Sequence, residues 1–137
     1  MRRVDSTPIM RSMKSNNIHG LGNDIIEIDR MRQSIDRHGL HFLNRLFTQR
    51  EQDYCYKFKD PVPHFAGRFA AKESIVKALG TGFGAQVSWH DIEVLNDELG
   101  KPIVTLTPTL QKQFNNPTIL VSISHSSTHA TAVAIWC

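Results

Sequence analysis

The sequence predicts a single α+β domain in which an antiparallel sheet packs against a long central helix. Two patterns predict this class: helix-like spacing fills residues 28–79, and strand-like spacing dominates residues 87–136. Helices followed by an antiparallel set of strands are typical of α+β domains. The 137 residues, of which 40% are hydrophobic and 21% charged, have the size and composition of one globular domain.

A strand and a helical region open the domain. The segment 18–28 combines β-branched residues with Gly20 and Gly22, which fits a strand that another backbone approaches closely. Polar and charged residues then predict a short helix over 28–37. Apolar residues at helical spacing continue over 40–47 and predict a further helical stretch.

Two more helices follow. Thr48 and Glu51 have the spacing of a capping box, which predicts a helix that runs through Lys57. After a proline-containing break, the pattern predicts a helix over 63–79. Gly80 comes directly after its last turn, where a glycine commonly ends a helix.

The second half of the chain predicts strands. Strand-like runs occupy 87–95, 103–106, 119–124 and 131–136. The polar segment 96–102 predicts a hairpin loop between the first two runs, and 108–114 predicts a short helix. Apolar residues alternate in the last two runs, as in strands that bury one face.

The net charge of +3 lies in the first 17 residues, which hold four basic residues and one acidic residue. We interpret 1–17 as a disordered basic leader, either vector sequence or an upstream start, and 18–137 as the domain. A neutral domain argues against a nucleic-acid partner. No run approaches the roughly 18–20 apolar residues of a membrane helix, and no secretory signal is present, so neither a membrane nor export is expected. The expected location is cytoplasmic.

The helix over 63–79 carries charges that need an explanation. On a helical wheel, Lys72 falls inside an apolar arc, Arg68 lies at its edge, and Glu73 and Lys77 share a separate strip. Buried charges are costly unless they are paired or used. Glu73 and Lys77 could simply form an i,i+4 ion pair. A polyanionic ligand with a metal ion would explain all four charges, including Lys72.

Two further segments offer candidate ligands. Asp24 ends a Gly-x-Gly-x-Asp pattern that lacks the third glycine of a dinucleotide site. It is either a turn residue or, with Glu73, one of the one or two carboxylates that Mg²⁺ commonly takes. His125 lies at the exit of the strand over 119–124, either as a structural residue or as a ligand. Without a third ligand, zinc is not expected there.

Basic residues concentrate in the segment 29–50. They are a solvated helix face or a docking surface for an acidic helix, beside Met31, Ile35 and His41, which look exposed. The arginines are Arg30, Arg32, Arg37, Arg45 and Arg50.

Taken in order, these segments resemble the holo-[acyl-carrier-protein] synthases, the small group of the 4′-phosphopantetheinyl transferases. Residues 20–28 resemble the family's opening strand, and residues 65–82 resemble its signature helix. Shorter matches follow at 89–94, 100–102 and 122–125. The resemblance runs from Ile18 to the C-terminus and implies the 4′-phosphopantetheinyl transferase-like fold.

The resemblance implies transfer of 4′-phosphopantetheine from coenzyme A to a serine of apo acyl carrier protein, in support of fatty acid biosynthesis. Adenosine 3′,5′-bisphosphate is the other product. By motif position, Asp24 and Glu73 would hold Mg²⁺. Arg68, Lys77 and His125 would meet the phosphates and the nucleotide, and the remaining pocket residues would be Gly80 and Pro102.

The resemblance also implies that Glu73, Lys77 and His125 are catalytic. The general base stays open between Glu73, a metal-bound water and the His125 region. Our hypothesis is that a metal-bound water passes its proton towards Glu73. Arg30 and Arg37 would grip the acidic helix of the carrier protein. A homotrimer with active sites between subunits is a further expectation.

One residue departs from the family pattern. Asn23 stands where an apolar residue is usual and is expected to place a polar side chain beside the metal carboxylate. The alternative function is a non-catalytic module that binds coenzyme A or the carrier protein.

Overall fold

The structure, a computed structural model, describes residues 17–137. Apart from Asn17, the predicted leader over 1–17 lies outside the described residues. The elements in chain order are β1 (Gly20–Glu27), α1 (Ile28–Leu46), α2 (Gln49–Cys55), α3 (Val62–Leu79), β2 (Ile92–Asn96), β3 (Pro102–Leu106), α4 (Pro108–Gln113), β4 (Ile119–His125) and β5 (His129–Trp136). Within 17–137, no helix combines the length and apolarity needed to cross a membrane.

The strands form two antiparallel sheets. The larger sheet has the order β1-β5-β4, with Gly20 opposite Trp136 and His125 opposite Ala130. The smaller sheet pairs β2 with β3, which confirms the predicted hairpin around residues 97–101. The long helix α3 packs against the larger sheet and contributes to both apolar clusters of the core. The predicted α+β architecture with a central helix is therefore confirmed.

Helix α3 and strand β1 pack with their backbones almost in contact. A Cβ atom added to Gly20 would lie 1.8 Å from the carbonyl oxygen of Ala78, and one added to Gly22 would lie 2.0 Å from that of Ser74. Any larger residue would force the strand away from the helix. The predicted close backbone approach at these glycines is confirmed.

Strand β5 also turns small side chains to the helix. Ala130, Ala132 and Ala134 are each at most 1% exposed, whereas Val133 on the other face is 41% exposed. Small side chains thus line the part of β5 that lies beneath α3, and Trp136 at the end of the strand packs against the same apolar cluster.

The two helical stretches predicted before Phe47 form one kinked helix. Gly39 has φ 59° and ψ −140° inside α1, a left-handed backbone conformation that glycine adopts at little cost. Met31 is 2% exposed, so the expectation that it lies at the surface is wrong: it points into the core below α1. Ile35 is half-buried, and His41 is exposed as expected.

The strand predicted over 87–95 is wrong in its first part. Residues 89–91 form a 3-10 turn, and β2 begins only at Ile92. The Asp91 carboxylate accepts hydrogen bonds from the Ser88 amide at 2.9 Å and from the Thr107 hydroxyl at 2.7 Å. These bonds draw the chain into a turn before the strand starts. The remaining helices and strands are confirmed within a few residues.

Lys72 is fully buried and is explained without a ligand. Its Nζ lies 2.7 Å from the carboxylate of Glu51, which is also fully buried. The ammonium group donates further hydrogen bonds to the carbonyl oxygens of Leu46 at 2.8 Å and Trp89 at 3.1 Å. Burial lowers the pKa of Lys72, and the charge of Glu51 opposes this shift. The interpretation that a ligand accounts for Lys72 is wrong.

Glu51 joins the capping box to this ion pair. Its Oε1 accepts a hydrogen bond from the Thr48 amide at 2.8 Å, and the Thr48 hydroxyl caps the Glu51 amide, so the predicted capping box is confirmed. Its Oε2 accepts one from the Val94 amide at 2.7 Å. The network therefore ties α2 and β2 to the central helix.

We expect Lys72→Met to destabilise the protein by about 3–5 kcal/mol, because it leaves the Glu51 carboxylate buried without its cation. Arg32→Met is the matched control, since Arg32 forms an ion pair with Asp60 at 2.8 Å in which the two side chains are 41% and 50% exposed. Ion pairs at the surface contribute little to the free energy of unfolding, so Arg32→Met should destabilise the protein much less than Lys72→Met. Urea unfolding followed by circular dichroism measures both; equal losses would contradict the assigned role of the buried pair.

Candidate functional site

A cavity of about 580 Å³ opens between β1, α1 and α3. Asp24, Glu73 and Lys77 line one part of it. Phe42 and Phe69 lie among the residues that give it an apolar part. Charged groups beside an apolar surface in a concave site are typical of a small-molecule site.

Lys77 links the central helix to the first strand. Its Nζ lies 3.1 Å from Oδ1 of Asp24 and donates a hydrogen bond to the carbonyl oxygen of Asn23 at 3.0 Å. In the described part of the chain, the ion pair of Lys77 is with Asp24 and not with Glu73 one turn away. The alternative of a simple i,i+4 pair on the helix is therefore wrong.

Glu73 is held in an environment that resists ionisation. Burial raises its pKa, the nearby Asp24 carboxylate raises it further, and Lys77 partly opposes both effects. Two neighbouring carboxylates share the charge of one lysine, so the cluster retains negative charge that a cation would neutralise.

This donor set fits Mg²⁺. The cation prefers oxygen ligands, and it commonly takes one or two carboxylates while water and substrate phosphates complete its coordination. Asp24 and Glu73 supply two such carboxylates at one cavity. Within residues 17–137 there is no cluster of three or more histidine, cysteine or acidic side chains that could hold a metal. With two carboxylates from the protein, such a cation would take its other ligands from water or substrate.

The side chain of Asn23 does not stand beside the Asp24 carboxylate. Successive side chains of a strand point to opposite faces, so Asn23 lies on the other face of β1 from Asp24 and is exposed. The expectation that its side chain adjoins the Asp24 carboxylate is wrong. Only its backbone carbonyl belongs to the site, through the hydrogen bond from Lys77.

Arg68 lies outside this cavity. Its side chain is 3% exposed, hydrogen-bonds to the side chain of Asn96, and stacks 4.1 Å above the ring of Tyr54. A weaker hydrogen bond reaches the carbonyl oxygen of His64 at 3.4 Å. Its Nε has no hydrogen-bond partner among the described residues.

The other predicted nucleotide residues do not line the cavity of Asp24 and Glu73. His125 ends β4 and is exposed, with its ring 5.8 Å from that of His64. Gly80 caps the C-terminus of α3 with φ 79°, and Pro102 begins β3. A single chain therefore brings Asp24, Glu73 and Lys77 together but not the remaining candidates.

The two predicted docking arginines share a groove on α1. Arg30 and Arg37 line it together with polar neighbours on the same helix, and Arg30 also lines the cavity of Asp24 and Glu73. The groove and the cavity therefore have Arg30 in common.

Sequence reasoning missed several residues at these sites. Phe42 and Phe69 line the cavity, although their spacing indicated only helix burial. His129 lines it through strand register, which a single sequence does not specify. The pairing of His64 with His125 depends on where β4 ends against the start of α3, and no sequence signal indicates it.

Comparison with known proteins identifies related chains. The sequence model of the 4′-phosphopantetheinyl transferase superfamily matches residues 20–134. A protein of Protochlamydia amoebophila named holo-[acyl-carrier-protein] synthase is 56% identical over 117 residues, which cover 85% of this chain and 96% of that protein.

Solved structures of proteins with the same name show the same fold. The structure from Neisseria meningitidis has a TM-score of 0.81 at 31% identity and covers 88% of this chain and 99% of its own. The one from Helicobacter pylori, in complex with coenzyme A, has a TM-score of 0.79 at 33% identity, with coverage of 85% and 99%.

We expect Asp24→Asn to lower the pKa of Glu73, because it removes the neighbouring negative charge that raises that pKa. Carbon-detected NMR titration of the Glu73 carboxyl in metal-free buffer measures the shift. Asn23→Ala is the control and should leave this pKa unchanged, since Asn23 is on the opposite face. An identical Glu73 titration in the protein and in Asp24→Asn would contradict the proximity of the two carboxylates.

Proposed function

Because the chain belongs to the 4′-phosphopantetheinyl transferase superfamily, we propose that it is a holo-[acyl-carrier-protein] synthase. It transfers 4′-phosphopantetheine from coenzyme A to a serine of apo acyl carrier protein and releases adenosine 3′,5′-bisphosphate. The observation that carries this function is the family match over residues 20–134, which includes the carboxylates and lysine of the cavity. We assign the activity to one domain over 18–137.

The reaction forms a bond between the serine oxygen of the carrier protein and the β-phosphorus of coenzyme A. The bond from that phosphorus to the bridging oxygen breaks, and the oxygen leaves with the adenosine bisphosphate. Lys77, half-exposed at the cavity, is placed to neutralise charge that develops on the phosphate oxygens. Glu73 is the group that we propose receives the serine proton by way of a water, since burial and the nearby Asp24 carboxylate raise its pKa.

Asp24 and Glu73 are the residues that would hold Mg²⁺. When bound, the cation supplies Lewis-acid neutralisation of the pyrophosphate. The support for this assignment is the pair of neighbouring carboxylates with residual negative charge, to which the cavity also gives an open side.

A homotrimer with active sites between subunits would bring the separated candidates together. Arg68, His125, Gly80 and Pro102 would then meet the nucleotide of coenzyme A beside the metal carboxylates of a neighbouring subunit. The outer face of the larger sheet supports self-association, because it exposes several large apolar side chains. These are Leu21 at 67%, Ile25 at 66%, Leu120 at 50% and Val133 at 41% exposure.

Carrier-protein docking is assigned to the groove on α1. Arg30 and Arg37 present positive charge to the acidic helix of the carrier, and Arg30 adjoins the cavity in which its serine would react. We place the reaction in the cytoplasm and in fatty acid biosynthesis, which requires holo acyl carrier protein.

Mixing the protein with coenzyme A, Mg²⁺ and an apo acyl carrier protein should add the mass of one phosphopantetheine group to the carrier. Mass spectrometry of the intact carrier measures the gain, which a chelator should abolish. Asp24→Ala and Glu73→Ala should lose the activity and keep the fold. A folded protein that binds coenzyme A but modifies none of several carriers would instead indicate a non-catalytic binding module.

Charge reversal of the docking groove, Arg30→Glu with Arg37→Glu, should weaken carrier binding, and the loss should be largest at low salt because exposed charges are screened by ions. Surface plasmon resonance with immobilised apo carrier measures it. Arg45→Glu, at an exposed arginine near the end of the same helix, is the matched control. Equal effects of the double variant and the control would contradict the assigned docking site.

Ile25→Asp should shift the protein from trimer to monomer, because it places a charge in the exposed apolar face. Sedimentation velocity measures the mass. Leu99→Asp provides the control, since Leu99 is 95% exposed in the β2–β3 turn and lies off this face. A monomeric unsubstituted protein at micromolar concentration, or a trimer that survives Ile25→Asp, would contradict the proposed interface.

A further inference from the structure

His64 and His125 form a pair that the cavity of Asp24 and Glu73 does not use. The two rings meet edge to face with centroids 5.8 Å apart. His64 lies in the first turn of α3, and His125 is the last residue of β4. Arg68 lies one turn beyond His64 and donates a hydrogen bond to its carbonyl oxygen. Three groups able to carry positive charge therefore meet at one place.

The carboxylate nearest to this cluster is already engaged. Asp60 forms a two-bond ion pair with Arg32, at 3.2 and 2.8 Å, and accepts a further hydrogen bond from the Val62 amide at 3.1 Å. It is the only carboxylate that contributes to the electrostatics of His64 among the described residues. When its histidines are protonated, the cluster therefore carries more positive charge than the nearby carboxylate neutralises.

The ring of His64 is held in place and is still available to a ligand. It stacks on the ring of Phe58, with centroids 3.5 Å apart and planes inclined by 15°. Neither of its nitrogens has a hydrogen-bond partner within residues 17–137, although the residue is half-buried. An oriented, half-buried imidazole without a partner is a group that a ligand can satisfy.

The surroundings of His64 disfavour its protonated form. Burial lowers its pKa, and the charges of Arg68 and His125 lower it further, while Asp60 opposes them weakly. A phosphate group bound beside the two rings would oppose the electrostatic part of this shift, because it brings negative charge and accepts hydrogen bonds of about 2.7–2.9 Å from protonated nitrogens. Binding would then draw one proton from solution onto the imidazole.

We propose that His64 and His125, beside Arg68, form a proton-linked site for a phosphate group of coenzyme A. This inference rests on the proposed function, which supplies the ligand, and it adds His64 to the binding residues. The phosphate enters, His64 takes up one proton from the buffered solution to form an N–H bond, and it returns that proton when the nucleotide leaves. Nucleotide affinity therefore rises as the pH falls through the neutral range.

Calorimetric titration of the full chain with adenosine 3′,5′-bisphosphate tests this directly. Runs at each pH in two buffers of different ionisation enthalpy give the number of protons taken up. If binding takes up one proton, the affinity changes by up to about tenfold per pH unit. His64→Phe keeps an aromatic ring against Phe58 but removes the group that takes up the proton. The part of the pH dependence that comes from His64 should therefore disappear. Because the ligand's own titration is common to both proteins, their difference isolates His64.

Two variants sharpen the result. His64→Lys carries its charge at every pH and should bind at pH 8 at least as tightly as the unsubstituted protein, without proton uptake. His41→Phe removes an exposed histidine from α1 and should keep the full linkage. Thermal unfolding of each variant shows whether the fold is intact. Comparison of coenzyme A with its 3′-dephospho form distinguishes the phosphate monoester from the pyrophosphate as the group that His64 meets.

Equal proton uptake by the unsubstituted protein and His64→Phe would overturn this inference. If the protein modifies carrier protein at the same time, the proposed function stands and only the role of His64 fails. If the unsubstituted protein binds neither the bisphosphate nor coenzyme A, both the inference and the function on which it rests fail.

Discussion

The contact between the glycines of β1 and the backbone of α3 is the constraint on which the site depends. With no side chain at Gly22, the strand lies directly against the carbonyl oxygen of Ser74. Asp24, two residues further along the same face of the strand, then meets the helix where Lys77 reaches its carboxylate at 3.1 Å. The alanines of β5 continue the same thin layer beneath the helix. A larger residue at Gly22 would separate the strand carboxylate from the helix that carries its partners.

A second constraint orients the same helix from its other side. Lys72 and Glu73 are neighbours in the sequence, and the helix turns one into the core and the other to the cavity. The buried pair of Lys72 with Glu51, reinforced by carbonyl groups of Leu46 and Trp89, fixes that rotation. The buried Lys72 thus keeps its neighbour Glu73 facing the cavity.

Local patterns in the sequence predicted much of this arrangement. The capping box at Thr48, the glycine after α3 and the pairing of Asp24 with Glu73 all depend on short spacings or on motif resemblance. The pairing of Lys72 with Glu51 was not predictable in this way. The capping box already gave Glu51 a role, so the sequence held no sign of a second one. The position of Asn23 follows from strand alternation, which resemblance to a motif does not take into account. The meeting of His64 with His125 depends on tertiary register alone.

Crystals grown with coenzyme A and Mn²⁺ in place of Mg²⁺ test most directly whether the cavity between β1 and α3 is the reaction site. The anomalous signal of manganese locates the ion independently of the protein density. An ion bound by carboxylate oxygens of both Asp24 and Glu73, and by oxygens of the coenzyme A pyrophosphate, is the predicted result. An ion held elsewhere, or a pyrophosphate bound away from these two carboxylates, would contradict the assignment of this cavity.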